Sequence, residues 1–329
     1  NKAGWMTDQD HCEWHGISCN DRNHVYKIML KSNNLTGEFP SNSLSKIYAL
    51  EELDLADNNL WGTMAVTDQY GTRDASIFFN LRHLSRVDLS QNNLSGEVDV
   101  LFAPALEHVN FSHNKFTSIN SLKEFKPSYK TLKICDLSHN SIEHSASYLM
   151  KNLPPYVEQL FLSSNLIKGT LPSTVENLVD LRRFSIDSNL LSGQIPDFST
   201  SFRNLKELDL SNQSLNGTIP ENLANLPFLS MLDLSGNHIT GAIPPVVASI
   251  VQLKVLDLAN NHLNGSIPAE LSRLEGMLKY LDLSNNSITG QIPSEIGLLE
   301  GTELKLAGNN FTPDTLAPLM LCFISDFDL

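Results

Sequence analysis

Apolar and polar positions alternate along the chain in one pattern that recurs from end to end. The stretch from Leu253 to Pro268, LKVLDLANNHLNGSIP, has leucine at its positions 1, 4, 6 and 11, asparagine at position 9 and a closing G-x-I-P. Aligned on position 9, the pattern recurs at Asn33, Asn58, Asn92, Asn114, Asn140, Asn165, Asn189, Gln213, Asn237, Asn261, Asn286 and Asn309. From Asn165 to Asn261 it recurs every 24 residues. Such a period predicts a solenoid built from stacked coils.

The spacing within one repeat predicts the shape of each coil. Positions 3 to 7 alternate, so they form a short strand whose leucines at 4 and 6 point inward. One strand per coil pairs with the next into a parallel sheet, and the asparagine at position 9 turns the chain away from it. Glycine at 13 and proline at 16 mark a turn and an extended segment, and positions 17 to 24 suit a short helical turn. The fold class is therefore an α/β repeat solenoid, a right-handed curved superhelix of about 12 repeats with a parallel concave sheet.

A buried asparagine side chain needs hydrogen-bond partners, which the backbones of adjacent coils supply if the asparagines form a ladder. Gln213 departs from this pattern in repeat 8. Either its longer side chain reaches the same groups, or the neighbouring Asn212 takes its place. The sequence leaves both alternatives open.

Three parts of the chain differ from the repeat. Residues 1–24 carry C-E-W-H-G-I-S-C and suit an N-terminal cap closed by a Cys12–Cys19 disulfide. Repeats 1–12 occupy 25–311, and about ten extra residues within 61–80 predict a surface loop. Residues 312–329 are read as a C-terminal cap or its beginning. Cys135 lies at position 4 of repeat 5 and is predicted to be a small buried apolar residue.

The formal net charge is −14, which argues against a nucleic-acid partner and against an anionic membrane surface. No apolar run approaches the roughly 20 residues of a membrane-spanning helix. The chain also lacks a leader segment and an initiator methionine, which is compatible with a mature or trimmed secreted protein.

The repeat L-x-x-L-x-L-x-x-N-x-L-[ST]-G-x-I-P and the C-x-W-x-G-I-x-C cap resemble the plant-type leucine-rich repeat family over essentially the whole chain. That family includes ectodomains of receptor-like kinases, receptor-like proteins and secreted inhibitors of polygalacturonases. The resemblance implies secretion, glycosylation, no catalysis and ligand binding on the concave or lateral face. Two features depart from the family pattern. The helix that usually precedes the cap tryptophan is missing, and Cys322 stands alone where the C-terminal cap usually has a cysteine pair.

Side chains predicted to face the concave sheet supply the candidate binding residues. Position 2 of repeats 5 to 11 is mostly basic, and apolar residues interrupt the sheet face, which is typical of the anchors of interfaces. Phe161 replaces the usual aspartate at position 5 and is expected to lie exposed beside Arg182 and Arg183. The alternative is a set of scattered surface apolar residues. The candidate ligand-binding residues are His139, Phe161, Arg182, Arg183, Met231, Val255 and Tyr280.

Eight N-x-[ST] sequons support a glycosylated secreted protein. They begin at Asn34, Asn93, Asn110, Asn212, Asn216, Asn264, Asn285 and Asn310. A glycan on Asn110, which holds position 5 of repeat 4, would obstruct the concave sheet. This shifts the predicted binding surface toward repeats 5 to 11.

Other groupings are consistent with the repeat alone, without special chemistry. The aspartates of position 5 are read as a solvated row rather than a Ca²⁺ site, and His113 with His139 as exposed polar residues rather than a metal pair. Ser138, His139 and Asp136 contain the residue types of a catalytic triad but lie on an open sheet without an oxyanion hole. We therefore expect no enzyme, no metal and no cofactor.

The function predicted from these features is extracellular recognition of a peptide or protein on the concave face, as in receptor ectodomains. A secreted inhibitor of a cell-wall hydrolase and a structural or assembly subunit are the alternatives. The predicted partners are a protein or peptide ligand with a co-receptor or a secreted hydrolase, and the predicted location is secreted or on the outer face of the plasma membrane.

Overall fold

The computed structural model describes residues 10–67, 73–98, 104–119, 131–153, 156–172, 178–198 and 202–312. They belong to two units. Unit 1 comprises Asn1–His144 with Asn152–Leu166, and unit 2 comprises Ser145–Lys151 with Ile167–Leu329. In each unit, successive coils add one three- to five-residue strand to a common sheet, which is the architecture predicted from the repeat.

The main sheet of unit 1 is parallel except at its start. An N-terminal strand, Ile17–Cys19, pairs antiparallel with Val25–Met29, and the later strands follow in chain order with parallel pairing. These later strands are Glu52–Asp54, Arg86–Asp88, His108–Asn110, Ile134–Asp136 and Gln159–Phe161. From Glu52 onward they occupy positions 3 to 5 of their repeats, so equivalent positions of neighbouring coils lie side by side.

A second, smaller parallel sheet in unit 1 begins at position 10 or 12 of the repeat, where no strand was predicted. It contains Thr36–Glu38, Asn59–Gly62, Asn93–Val98 and Lys115–Ile119. Among the described residues, the short helices of both units are His11–Glu13, Ser41–Leu44, Ile77–Phe79, Ala146–Asn152, Glu221–Asn225, Pro245–Ser249, Ala269–Leu274 and Ser294–Leu298. Most of them are 3₁₀ turns, because the backbone must reverse within five or six residues.

The described residues of the 61–80 segment contain regular structure. Ala65–Thr67 and Arg73–Ser76 pair antiparallel, and a 3₁₀ turn follows. Ile77 and Phe78 in that turn have no exposed surface, and the ring of Phe78 lies 6.1 Å from that of Phe111. The surface loop stays a prediction for the polar part of the segment, whereas the apolar IFF sequence after it returns the chain to the core.

The main sheet of unit 2 is entirely parallel. Its strands are Arg183–Ser185, Glu207–Asp209, Met231–Asp233, Val255–Asp257, Tyr280–Asp282 and Glu303–Lys305. Shorter strands pair beside it: Lys168–Gly169, Leu190–Gln194 and Ser214–Asn216, then Thr240–Ala242 with His262–Asn264, and Thr289–Gly290 with Asn310–Phe311. The leucines of positions 1, 4, 6 and 11 fill the interior, as Leu253, Leu256, Leu258 and Leu263 show with at most 1% exposure.

A ladder of hydrogen-bonded amides runs along each unit at position 9, as predicted. Its side chains are half-buried in repeats 1 to 5 and buried from Asn165 to Asn286. The amide of Asn237 donates to the carbonyls of Leu210 and Leu234, while its oxygen accepts the Leu215 N–H at 3.0 Å. Gln213 continues the ladder, since its oxygen accepts the Leu191 N–H at 3.0 Å and its amide donates to the carbonyl of Ile186. The first of the two alternatives for repeat 8 is therefore correct.

The cap contains the expected disulfide between Cys12 and Cys19. Cys135 is buried at position 4 of repeat 5, and burial raises the pKa of its thiol to about 12. It is thus an apolar core residue rather than a reactive thiol. The C-terminal segment predicted as a cap, 312–329, lies outside the described residues beyond Thr312, and Cys322 lies there too.

Candidate functional site

An apolar strip crosses the middle of the unit 2 sheet on its solvent-facing side, opposite the leucine core. Met231, Val255 and Tyr280 hold position 3 of consecutive coils and pair directly with one another in the parallel register. All three side chains are half-buried. Because neighbouring strands lie about 4.8 Å apart, the three side chains form a continuous surface. The two predicted apolar residues and the tyrosine are therefore brought together.

A mostly basic row borders this strip at position 2 and is interrupted by Ser230 beside Met231. Its basic members are all exposed: Arg182, Lys206, Lys254 and Lys279. At one end of the strip, the guanidinium of Arg183 pairs with the Glu207 carboxylate at 3.0 Å. The pair is more than one-third exposed, so it adds little stability and leaves charge available at the surface.

An acidic row borders the strip on the other side, at position 5. It contains Asp209, Asp233, Asp257 and Asp282 on four consecutive strands. Each carboxylate accepts the backbone N–H two residues later at 2.9–3.0 Å, which holds the side chain against the sheet. Asp282 is buried and the others are half-buried. The prediction of a solvated row was wrong, because these hydrogen bonds draw the carboxylates toward the backbone.

Burial and mutual repulsion change how the acidic row titrates. Burial, followed by the charge of neighbouring aspartates, raises the pKa of Asp209 and of Asp257 to about 6. The pKa of Asp233 is also raised, with burial as the largest cause. The unit 2 sheet face therefore gains negative charge as the pH rises through about 6.

The substitution Asp257→Asn should make unit 2 more stable at pH 7.5. The raised pKa means that the folded protein binds the proton more tightly than the unfolded chain, so stability is full below about pH 4 and declines toward pH 6. Asparagine can still accept the Ala259 N–H, as Asn110 accepts that of Ser112 in repeat 4. The half-exposed site limits the expected gain to about 1 kcal/mol at pH 7.5, with no gain at pH 4.

Thermal unfolding followed by circular dichroism at both pH values measures this effect. The exposed Glu275 provides the control, since Glu275→Gln should leave the pH dependence of the wild type unchanged. An Asp257→Asn protein that melts at or below the wild-type temperature at pH 7.5 contradicts the raised pKa assigned to Asp257.

Tyr280 joins the apolar strip to the acidic row. Its hydroxyl donates to Asp282 Oδ2 at 3.0 Å, and Lys305 Nζ donates to the same hydroxyl at 3.2 Å. Lys305 also lies 4.9 Å from the centre of the tyrosine ring. The hydroxyl hydrogen bonds and this cation–π contact hold the ring in one orientation, as a binding anchor requires.

Two of the predicted binding residues belong to unit 1. Phe161 is half-buried and pairs in register with Asp136, whereas its predicted neighbours Arg182 and Arg183 belong to unit 2. The ring of His139 stacks on that of His113, with centroids 4.1 Å apart and planes inclined by 11°. Both histidines have positive φ at position 8, where the chain turns toward the asparagine ladder. Their part in binding stays a prediction.

A cavity of about 290 Å³, which the sequence did not predict, lies on the solvent-facing side of the unit 1 sheet. Its lining comes from positions 3 to 5 of the first five repeats and includes Glu52, Asp54, Arg86, Asp88, His108 and Asn110. The Asn110 sequon had shifted the predicted surface away from this region. In the structure both ends of that amide are engaged, with Ser112 and with Asp88. The change from an acidic to a basic residue at position 3, from Glu52 to Arg86, is the sequence signal that could have indicated this site.

The sequon asparagines of unit 2 all lie on the C-terminal side of the main-sheet strand in their repeats. Asn212 and Asn285 hold position 8, Asn310 holds position 10, and Asn216 and Asn264 hold position 12, and all five are exposed. These positions lie after the sheet strand, while the basic row precedes it. Glycans at these sites would therefore leave the strip and the basic row open.

Comparison with known proteins identifies the repeat and its relatives. Models of the leucine-rich repeat match residues 181–239, 252–274 and 277–299. The Arabidopsis thaliana receptor-like protein kinase BRI1-like 3 is 31% identical over 167 residues. That match includes 49% of this chain but 13% of the kinase, so the chain spans a small part of its relative's length.

Solved structures share the fold. The ectodomain of the Arabidopsis receptor kinase GASSHO1/SCHENGEN3, in complex with CASPARIAN STRIP INTEGRITY FACTOR 2, matches 89% of this chain and 37% of its own with a TM-score of 0.72 and 24% identity. The ectodomain of the Arabidopsis receptor kinase HAESA, in complex with an IDA peptide hormone ligand lengthened at its N-terminus, matches 92% of this chain and 62% of its own with a TM-score of 0.60 and 25% identity. Within the described ranges, the helices are too short to cross a membrane.

Proposed function

We propose that this chain, a leucine-rich repeat protein of the plant extracellular family, is a ligand-recognition module that binds an extended peptide, or an extended protein segment, across the unit 2 sheet. The observation that carries the proposal is the strip of Met231, Val255 and Tyr280 between a basic and an acidic row. The relatives support only the broader class, which is ligand recognition by an extracellular leucine-rich repeat protein. The extended ligand and the residues that bind it are part of the proposal.

The strip suits a peptide because apolar, basic and acidic side chains lie within a few ångströms of one another on the sheet face. Apolar side chains of the ligand would cover Met231 and Val255, where removal of apolar surface from water supplies the affinity. Charges of opposite sign on the two borders would fix the direction and register of the ligand, since complementary charges select partners more than they add affinity. A ligand running along the strip crosses successive coils and meets a new strand about every 4.8 Å.

The relatives favour recognition over the alternatives. The matched proteins described above are receptor kinases, and the HAESA ectodomain is bound to a peptide hormone ligand. By this likeness the chain would act outside the cell or on the outer face of the plasma membrane, together with a co-receptor. Inhibition of a cell-wall hydrolase and a purely structural role have no comparable support.

Selection from a random peptide library displayed on phage tests the proposal directly. The immobilised chain should enrich peptides with apolar residues flanked by charge, and the paired substitution Met231→Ser with Tyr280→Ala should lower the affinity of a recovered peptide at least 10-fold. Loss of two buried anchors at an interface commonly has an effect of that size or larger. Isothermal titration calorimetry with the synthetic peptide measures the change.

A matched control uses Val251, which is 62% exposed and lies outside the sheet strands of the same unit. The substitution Val251→Ser should leave peptide affinity within twofold of the wild type. Recovered peptides that bind the paired variant as tightly as the wild type would exclude the strip as the binding surface. Melting curves of each variant distinguish a lost contact from lost folding.

A further inference from the structure

The unit 1 cavity combines an acidic side and a basic side within one small space. Asp54 and Asp88 lie at position 5 of neighbouring strands and pair directly in register. Arg86 and His108 lie at position 3 of neighbouring strands and also pair in register. Glu52 lies beside Arg86 in the same row and also lines the cavity, where its carboxylate accepts a hydrogen bond from Lys27 Nζ at 2.6 Å. Positions 3 and 5 of one strand are about 7 Å apart, so a small ligand between the two sides can contact both.

Hydrogen bonds define the state of the basic side. Arg86 Nη2 lies 3.2 Å from His108 Nδ1, and because a guanidinium only donates, the histidine nitrogen is the acceptor. His108 is then neutral with its proton on Nε2, and burial, followed by the charge of Arg86, lowers its pKa in agreement. The remaining N–H groups of Arg86 and the Nε2–H of His108 are donors suited to a carboxylate.

Two carboxylates side by side define the acidic side. Asp54 Oδ1 accepts the Ala56 N–H at 3.0 Å, and Asp88 Oδ1 accepts the Ser90 N–H at 2.9 Å. These bonds leave the Oδ2 atoms as the sites for a cation, although Asn110 donates weakly to Asp88 at 3.4 Å. Burial and the charge of Asp88 raise the pKa of Asp54, so a bound ammonium would relieve their repulsion.

Apolar side chains complete the lining at its ends. Met29, which is 42% exposed, and Ile134, which is half-buried, occupy the first and last of the five strands. The volume of about 290 Å³ is at the lower end of the range for small-molecule sites. A peptide or other polymer would continue beyond this cavity at both ends, whereas a small molecule can be accommodated entirely within it.

We propose that the unit 1 cavity binds a free α-amino acid, with the ammonium held by Asp54 and Asp88, the carboxylate by Arg86 and His108, and the side chain by Met29 or Ile134. This site is separate from the strip of unit 2 and goes beyond the function proposed above. Each of its two charged contacts should contribute at least 10-fold to affinity, as hydrogen bonds between charged groups commonly do.

The test titrates the full chain, produced without N-glycans so that Asn110 carries none, with each of the common amino acids. Calorimetry and thermal shift should detect binding of at least one of them. Its N-acetyl derivative and its amide, which lack one charge each, should bind at least 10-fold more weakly. Equal binding of the amide, or of a simple alkylamine, would overturn the proposal in favour of a cation site, and no binding of any amino acid would overturn it outright.

Substitutions in the cavity locate the site. Asp54→Asn and Arg86→Gln should each reduce affinity at least 10-fold. Asp136→Asn is the matched control, because Asp136 holds the same position 5 and makes the same bond to the N–H two residues later, but does not line the cavity. Unchanged affinity in both cavity variants, or an equal loss in the control, contradicts the assignment. The unit 2 peptide-binding assay on the same variants should remain at the wild-type level, so the two proposals fail or hold independently.

Discussion

Replacing Asn237 with alanine is expected to lower the free energy of unfolding by about 3–5 kcal/mol. The side chain is 4% exposed, and its amide and oxygen together engage the carbonyls of Leu210, Leu234 and Ser235 and the N–H of Leu215. Alanine would leave these backbone groups without their partners in an interior that water does not reach. Each unsatisfied buried polar group costs about 1–3 kcal/mol, and more than one would be created.

Urea unfolding followed by circular dichroism measures this loss, and the melting temperature should fall by about 5–10 °C. The exposed Asn225 provides a control, because Asn225→Ala removes the same groups from a side chain in solvent. Asn237→Gln should be milder than Asn237→Ala, since Gln213 already serves the ladder in the preceding coil. Equal stability of the Asn237→Ala and Asn225→Ala proteins would show that the ladder does not stabilise the fold.

Replacing Phe184 with alanine is expected to lower the free energy of unfolding by about 3–5 kcal/mol, which is the usual loss when a buried phenylalanine ring is removed. Phe184 occupies position 4, where most repeats have leucine, and it is 1% exposed. The penalty combines the lost burial of apolar surface with a cavity that the stacked coils cannot close. A coil that moved inward to fill the space would have to break its pairing with the neighbouring strand Glu207–Asp209.

Phe228 in the same unit allows a matched comparison, because its side chain is 51% exposed. Phe228→Ala should change the free energy of unfolding by less than about 1 kcal/mol. Both variants are measured by chemical denaturation at one protein concentration. A similar loss in the two proteins would mean that position in the repeat does not determine the cost of removing a ring.

Repeat spacing was sufficient to predict the main sheets, the interior leucines and the ladder, because each depends on contacts that recur in every coil. The smaller sheets of both units were missed, although their strands begin at positions that the repeat also defines. A strand such as His262–Asn264 alternates for only three positions. A run that short has no clear period of its own, and pairing with the adjacent coil is what makes it a strand.

Candidate sites were harder to predict, since they depend on residues that differ from coil to coil. Met231, Val255 and Tyr280 were found because each departs from the polar pattern of position 3. The Arg86–His108 pair was missed because a single arginine and a single histidine look like ordinary surface residues. Their hydrogen bond became visible only when these two residues, 22 positions apart in the sequence, were placed on neighbouring strands.

The sequence by itself determined the coil, its disulfide-bonded cap and the buried ladder, because a regular period of leucine and asparagine is compatible with one way of stacking. Only the tertiary structure decided how the exposed positions interact. It drew the aspartates of position 5 toward the backbone, returned the 61–80 segment to the core through Ile77 and Phe78, and formed a cavity from positions 3 and 5. The physical reason is that core burial acts on every repeat alike, while hydrogen bonds and charges at the surface depend on which side chains become neighbours.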